Sequence, residues 1–388
     1  MKSPRHDMNS HELLPNRHNI FTPSNNDWHG SRDPYVYAYS AYYDSRKVFG
    51  KENVVAVIGV MSNDVKFSNI SKTCRYCEGD ICHEVYPKRQ FFFGMHFYTS
   101  QRLLVTDFVF WCPVYSLSFI PESVDVVIAD VTRVSIPVTI PHRPAEVQDL
   151  LVCVKALYVS NHTHRNSIDH RRLIEWFEMN RLLGIQHFAI YIQSVNKKIN
   201  KLLYYYHKLG ILSVYSQGDI NGDDYVQPRS IGLNDCIYRY MYSYRYIVNI
   251  DTDEIILPHS ADTLTHLIAQ IQVSQPKTSI ADLIFKRRAF NLKHGLKTYL
   301  AYEKNINYEF QNNIKDILSV DLCLRANSHK CMRHSPGSIK LFVDEKYGIS
   351  NHYIIKNQTS VSSNATDDRI MHFAPELRRN VQKVLNEI

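Results

Sequence analysis

No run of apolar residues in this chain is long enough to cross a membrane as a helix. Such a span needs about 18 or more in succession. The best candidate, LLVTDFVFWCPV at 103–114, is short, contains Asp107 and reads better as a strand. The first twenty residues, MKSPRHDMNSHELLPNRHNI, lack the apolar core of a secretory signal peptide. Taken literally, the sequence describes a soluble protein. A strong charge imbalance is also missing: 45 Lys+Arg against 38 Asp+Glu leave a scattered net +7. That is weak evidence for an anionic ligand and none for a nucleic-acid stripe, so nucleic acid is not an expected partner. With 44% hydrophobic and 21% charged residues, large-scale disorder is excluded too.

Zinc-site spacing is incomplete. Cys74, Cys77 and Cys82 with His83 offer four ligands within ten residues, and no second C-x2-C follows. Disulfides are the favoured reading if the chain folds in an oxidising compartment, with no metal at this cluster. Sequons stand at Asn69, Asn161, Asn357 and Asn364. About three would arise by chance, so they permit a secretory location without arguing for it. The residue in excess is tyrosine, with 26 copies. Its flat apolar face and hydroxyl suit a sugar-binding pocket, although strand and core packing accounts for most of them.

At 388 residues and about 150 per domain, two or three domains are expected. Residues 1–34 are polar and rich in Pro, Asn and His, and read as a flexible tail or stem. Residues 35–145 carry short β-type runs such as VVAVIGV, FFFGMHFYT and VDVVIADV, the texture of a small β-sandwich or β-rich accessory domain. PHRPAEVQ at 141–148 is the linker. From 150 to 388 strands and helices alternate, predicting an α/β domain with a parallel or mixed sheet. Predicted helices include 168–184, 196–210, 232–245 and 261–272. In such sheets ligands bind outside the carboxyl ends of the strands.

One of those ends reads YRYIVNIDTDEIILP, at 244–258. A D-x-D alone occurs about once by chance in a chain this long. Here Asp251, Asp253 and Glu254 follow an apolar strand and lead back into aliphatic residues. Carboxylates so placed suit a hard divalent cation bridging to a substrate diphosphate. Two rival readings are a solvated turn and the nucleophile motif of a haloacid-dehalogenase-like phosphatase. Against the second, the fifth motif position is Ile255 and three βα units precede it.

Several ordered segments together resemble glycosyltransferase family 92. They are SAYYDSR at 40–46, WCPV and IPESVDVVI in the β-rich part, VCVKALYV followed by LIEWFEMNRLLGIQHFAIY, and LNDCIYRYMYSYRYIVNIDTDEIILP. IMHF at 370–373 resembles the family's closing segment, without its arginine. The resemblance covers about 36–378. It implies a GT-A fold, with a Rossmann-like mixed sheet, and inverting transfer of a hexose, galactose from UDP-galactose, to a glycan acceptor. It also implies Mn2+ held by the D-x-D, and membrane association through a type II Golgi anchor that no segment of this chain supplies. A non-catalytic carbohydrate-binding protein acting through the β-rich region is the remaining alternative.

On this resemblance Asp253 is the direct metal ligand, and Asp251 touches the ribose or reaches the metal through water. Glu254 is either part of the site or a structural cap, and His372 completes the metal shell, with His352 as its competitor. Asn234 and Asp235 are placed near the donor, or form a helix N-cap. Glu175 and Glu178, spaced i, i+3 beside three arginines, read as a salt-bridged surface more readily than as a site. An inverting transfer needs a base for the acceptor hydroxyl. Asp321, Asp344 and Glu345 are the candidates, and the sequence does not choose among them.

Overall fold

A computed structural model describes residues 11–16, 18, 20–23, 27–46, 52–67, 69, 71–98, 104–114, 119–158, 169–220, 229–292, 308–355 and 369–388. Its first part comprises β1 (His29–Arg32), β2 (Tyr35–Asp44), β3 (Asn53–Ser62), α1 (Asn63–Phe67), β4 (Lys72–Glu78), β5 (Ile81–Val85), β6 (Arg89–Tyr98), β7 (Leu104–Val114), β8 (Ser123–Ile128) and β9 (Thr132–Thr139). These form one sheet in the order β5-β4-β8-β9-β2-β3-β7-β6, with β1 on β2. The expected sandwich is therefore a single sheet folded over. The Cys74–Cys112 disulfide and a Tyr76 hydroxyl bond to the Pro113 carbonyl at 3.1 Å join β4 to β7 across a shared apolar core. Side chains alternate along a strand. On β2, Val36, Ala38 and Ala41 face that core while Tyr37, Tyr39 and Tyr42 face a second one.

The second part runs β10 (Gln148–Tyr158), α2 (His170–Leu182), β11 (His187–Ser194), α3 (Lys197–Lys208), β12 (Leu212–Ser216), α4 (Arg229–Arg239), β13 (Tyr244–Asn249), β14 (Glu254–Pro258), α5 (Leu264–Ser274), β15 (Ile280–Leu292), β16 (Tyr308–Ser319), β17 (Cys323–Ala326), β18 (Cys331–His334), β19 (Ile339–Phe342), β20 (Gly348–Ile355) and α6 (Ala374–Glu387). Its sheet has the order β12-β11-β10-β13-β16-β15-β20-β14, with β19 on β15. Strands β12, β11, β10 and β13 are mutually parallel, and β16 is antiparallel to both β13 and β15. Helices begin where the sequence supplies caps: Asp169, Asn196 and Thr263 accept from backbone N–H groups of the first turn. Gly184 and Gly210, both at positive φ, follow α2 and α3 at the left-handed position where an L side chain would be strained.

Helix α4 lies between the two sheets, and one core holds residues of β2, β3, β7, β10, β11 and α4 together. Helix α4 ends near Arg239, and β13 is already a strand from Tyr244, so the helix expected over 232–245 is shifted toward the N-terminus. Several of the described residues between 11 and 34 are packed against the second sheet, unlike the expected loose tail. The Leu13 N–H donates to the Val214 carbonyl at 2.7 Å and the Ser216 N–H to the His11 carbonyl at 2.9 Å, adding an edge to β12. Phe21 is buried in the second sheet's core, and Asp27 accepts from the Ser216 hydroxyl and the Gly218 N–H.

All eight cysteines are paired, as Cys74–Cys112, Cys77–Cys82, Cys153–Cys236 and Cys323–Cys331, so the clustered cysteines hold disulfides and not zinc. Of the sequons, Asn69 is exposed, while Asn161, Asn357 and Asn364 lie outside the described residues.

Candidate metal centre

Chain order along the parallel strands reverses at one place. From β10 the chain steps outward through β11 and β12, then returns to β13 on the other side of β10. A crevice opens outside the carboxyl ends of strands at such a switch point. Two side chains meet there. Lys155 near the end of β10 and Asp251 just past β13 approach to 3.4 Å. The sequence produces the turn locally, since Ile247, Val248 and Ile250 are buried and the chain then reverses through Thr252 and Asp253. The Glu254 N–H donates to the Asp251 carbonyl at 3.0 Å, and the Glu254 carboxylate accepts from the Asp251 N–H at 3.0 Å.

The three carboxylates are not equivalent. Glu254 is 1% exposed and committed, to Lys315 at 2.7 Å and Arg287 at 3.2 Å. Asp251 is 47% exposed and is gripped from below by Lys315 at 2.6 Å as well as by Lys155. Burial would raise its pKa, but the Lys155 and Lys315 ammonium groups hold its carboxyl well below the usual range. Lys315 is fully buried, yet Asp251 and Glu254 outweigh desolvation and keep its pKa raised. Lys155, 5% exposed, has its pKa lowered by desolvation. Asp253 is 43% exposed, and its partner is the His352 ring at 3.3 Å.

Register brings that histidine in. Strand β20 runs antiparallel to β14, pairing Glu254 with His352, while the Tyr353 N–H donates to the Asp253 carbonyl at 2.8 Å. The Arg287 guanidinium bonds the His352 Nδ1 from β15. Among the described residues, Asp253, Glu254 and His352 bring ligand atoms within 4.8 Å of one another. Carboxylate oxygen with imidazole nitrogen is a donor set that suits a divalent transition ion. Three carboxylates, Asp251, Asp253 and Glu254, face three cations, Lys155, Lys315 and Arg287, so the centre is close to neutral.

The β17–β18 hairpin closes one side. Lys155 and Lys315 donate to the Ser328 carbonyl at 3.1 and 3.4 Å, and Asn249 donates to the Asn327 carbonyl at 3.0 Å. The Cys331 N–H donates to Asp282 at 2.9 Å, and burial pushes that carboxyl up to about 6.

The geometry does not gather the remaining candidates. His372 is 72% exposed and stands 4.0 Å from Asp262, outside the cluster. Among the described residues the histidine beside the acidic turn is His352 on β20, the alternative to His372 that the sequence offered. Asn234 and Asp235 are fully buried and spent on packing. Asn234 bonds both the N–H and the carbonyl of Ala326. Asp235 binds Arg239 at 2.9 Å and the hydroxyls of Tyr42 and Tyr191 at 2.6 Å. Asp321 sits exposed past the end of β16, at the amino edge of β13, where the Val320 N–H meets the Arg245 carbonyl. Asp344 and Glu345 lie in the turn before β20, beside the far end of β14, where the Glu345 carbonyl meets His259. Glu345 is paired with Lys286 at 2.9 Å. Glu175 and Glu178 are buried, not surface, and Glu178 binds Arg181 and the Tyr206 hydroxyl. Lys155, Lys315 and Arg287 were missed. The two lysines had a signal, each standing alone inside a strand sequence, LVCVKALYV and NNIKDILSV, whereas Arg287, in the run KRRAF, had none.

Residues 148–388 match the model of glycosyltransferase family 92. No curated protein matches the chain. Among solved structures, the crystal structure of 4-diphosphocytidyl-2C-methyl-D-erythritol synthase aligns with 61% of this chain and 100% of its own, at 9% identity and a TM-score of 0.30.

Proposed function

Because the chain belongs to glycosyltransferase family 92, we propose that it is a metal-dependent, inverting GT-A enzyme that moves galactose from UDP-galactose to a glycan acceptor. The observation that carries this reading is the acidic turn at the switch point, with Asp253 and His352 facing each other at 3.3 Å. Strand order supports the fold reading, since the acidic turn follows the fourth strand of a parallel β12-β11-β10-β13 set. Asp253 and His352 would hold Mn2+, with Asp251 beside them. Bound there, the ion would supply Lewis-acid stabilisation to the departing diphosphate.

The chain's own residues account for the rest. Lys155 and Lys315 fix Asp251 and prevent three clustered carboxylates from repelling one another. The Arg287 guanidinium can only donate, so the His352 Nδ1 accepts from it and Nε2 carries the proton facing Asp253; holding the ion through Nε2 would release that proton and the Arg287 contact. Since the centre is near neutral, affinity for the cation comes from the nucleotide's phosphates as much as from the protein. Four disulfides support a secretory location, the Golgi on the family resemblance. Among the described residues, no helix is long and apolar enough to cross a membrane.

The test is a panel of nucleotide sugars with and without Mn2+, read by thermal shift and by donor hydrolysis. Mn2+-dependent stabilisation by UDP and turnover of UDP-galactose are expected. Hydrolysis of an aryl phosphate with Mg2+, without nucleotide binding, would instead establish the phosphatase reading. Metal-independent glycan binding alone would establish the non-catalytic one.

A further inference from the structure

The proposed transfer lacks a base, because each carboxylate considered for that role lies away from the acidic turn. The hairpin that walls the centre carries a different group. Its tip is held from several directions: Asn249 on Asn327, the two lysines on Ser328, Asn234 on Ala326 and the Cys323–Cys331 disulfide joining the first residues of its two strands. Within the tip, the N–H groups of His329 and Lys330 both donate to the Asn327 side chain at 2.9 Å, fixing the turn. His329 is half-buried, so its ring is both positioned and reachable. Its Nδ1 lies 3.3 Å from the Ile314 carbonyl. A carbonyl accepts only, so Nδ1 carries the proton and Nε2 keeps its lone pair.

We propose that His329 is the general base for the acceptor hydroxyl, an assignment that rests on the glycosyltransferase reading above. In the step, the hydroxyl oxygen bonds to the anomeric carbon of the donor sugar as its proton passes to His329 Nε2. The bond from that carbon to the diphosphate oxygen breaks, and the electron pair leaves with the nucleoside diphosphate. The imidazolium then gives its proton to water. The surroundings favour the neutral ring. Burial, then Lys315 on β16 and Lys155 on β10, lower its pKa against the opposing pull of the Ile314 carbonyl and of Asp251 after β13. Lys330, its chain neighbour, adds a further positive charge.

The experiment uses donor hydrolysis, with water as acceptor, so that no particular glycan is needed. His329→Asn retains an amide N–H for the Ile314 carbonyl but has no basic nitrogen. It should lower turnover about 100-fold or more and leave Mn2+-dependent UDP binding within about twofold. Wild-type turnover should fall as pH drops through a pKa below the ordinary histidine value, and that acid limb should vanish in the variant. If His329→Asn fails to fold, His329→Gln is read in the same way. A variant that keeps the rate and the acid limb would overturn the assignment alone. A wild-type protein that neither binds UDP with Mn2+ nor hydrolyses any nucleotide sugar would overturn the glycosyltransferase reading, and the base with it.

Discussion

Asp251 and Asp253 are two residues apart and do different work. Asp251 is part of an ion-pair network with Lys155 and Lys315, whereas Asp253 meets His352 and solvent. Asp251→Asn leaves the buried Lys155 ammonium with the Ser328 carbonyl and Lys315 with Glu254, so thermal denaturation should show a loss of about 1–2 kcal/mol, discounted because the carboxylate is half-exposed. The folded-state pKa of Asp251 is depressed. Its contribution is therefore complete above the unfolded value of about 3.9 and fades as pH falls below it. The gap between wild type and Asp251→Asn should thus be constant near neutrality and shrink below about pH 4. A gap that grew with acid would contradict the ion-pair account. The acidic turn was legible in the sequence because an apolar strand ran straight into it. The lysines were not, because their meaning depends on partners 96 and 64 positions away. His352 was legible only as a competitor, since its register opposite Glu254 is a property of the sheet.

Among the elements, the β17–β18 hairpin matters most to the site. Its strands are four residues each, and no alternation of that length stands out in a sequence, which explains why it was not anticipated. Strands β10, β11 and β13 and helices α2 and α3 were legible because their apolar periods run for a full element. Helix α4 was displaced because the tyrosine-rich run after Arg239 fits a turn and strand as well as it fits a helix. Replacing Cys323 and Cys331 together by alanine opens a loop of 8 residues. Chain entropy puts the loss at about 2–3 kcal/mol. Hydrogen exchange should quicken at 327–330 and UDP affinity should fall, while the parallel strands keep their protection. Unchanged exchange at the tip would show that Asn249, Asn234 and the lysines suffice to hold it.

At the scale of the whole molecule, the two sheets share α4. Asp235 anchors that sharing by joining Arg239 to Tyr42 of the first sheet and Tyr191 of the second. Asp235→Asn leaves the buried Arg239 cation unpaired, which should cost about 3–5 kcal/mol and lower the temperature of one common transition seen by calorimetry. Two separate transitions, with only one of them shifted, would show that the sheets fold independently. The composition announced a β-rich part and an α/β part, but it could not show one core crossing between them, because that core is built from residues far apart in sequence.

On the proposed reading, the near-neutral carboxylate–cation cluster at the acidic turn would bind a divalent ion and a nucleoside diphosphate cooperatively. Calorimetric titration of UDP into wild type and Asp253→Asn, with and without Mn2+, tests this most directly. In wild type, Mn2+ and UDP should each raise the other's affinity by the same factor, and neither should bind tightly alone. Asp253→Asn should keep its melting temperature and lose that coupling, with turnover down about a thousandfold. Mn2+-dependent UDP binding that survives in Asp253→Asn would contradict the placement of the donor site at this turn.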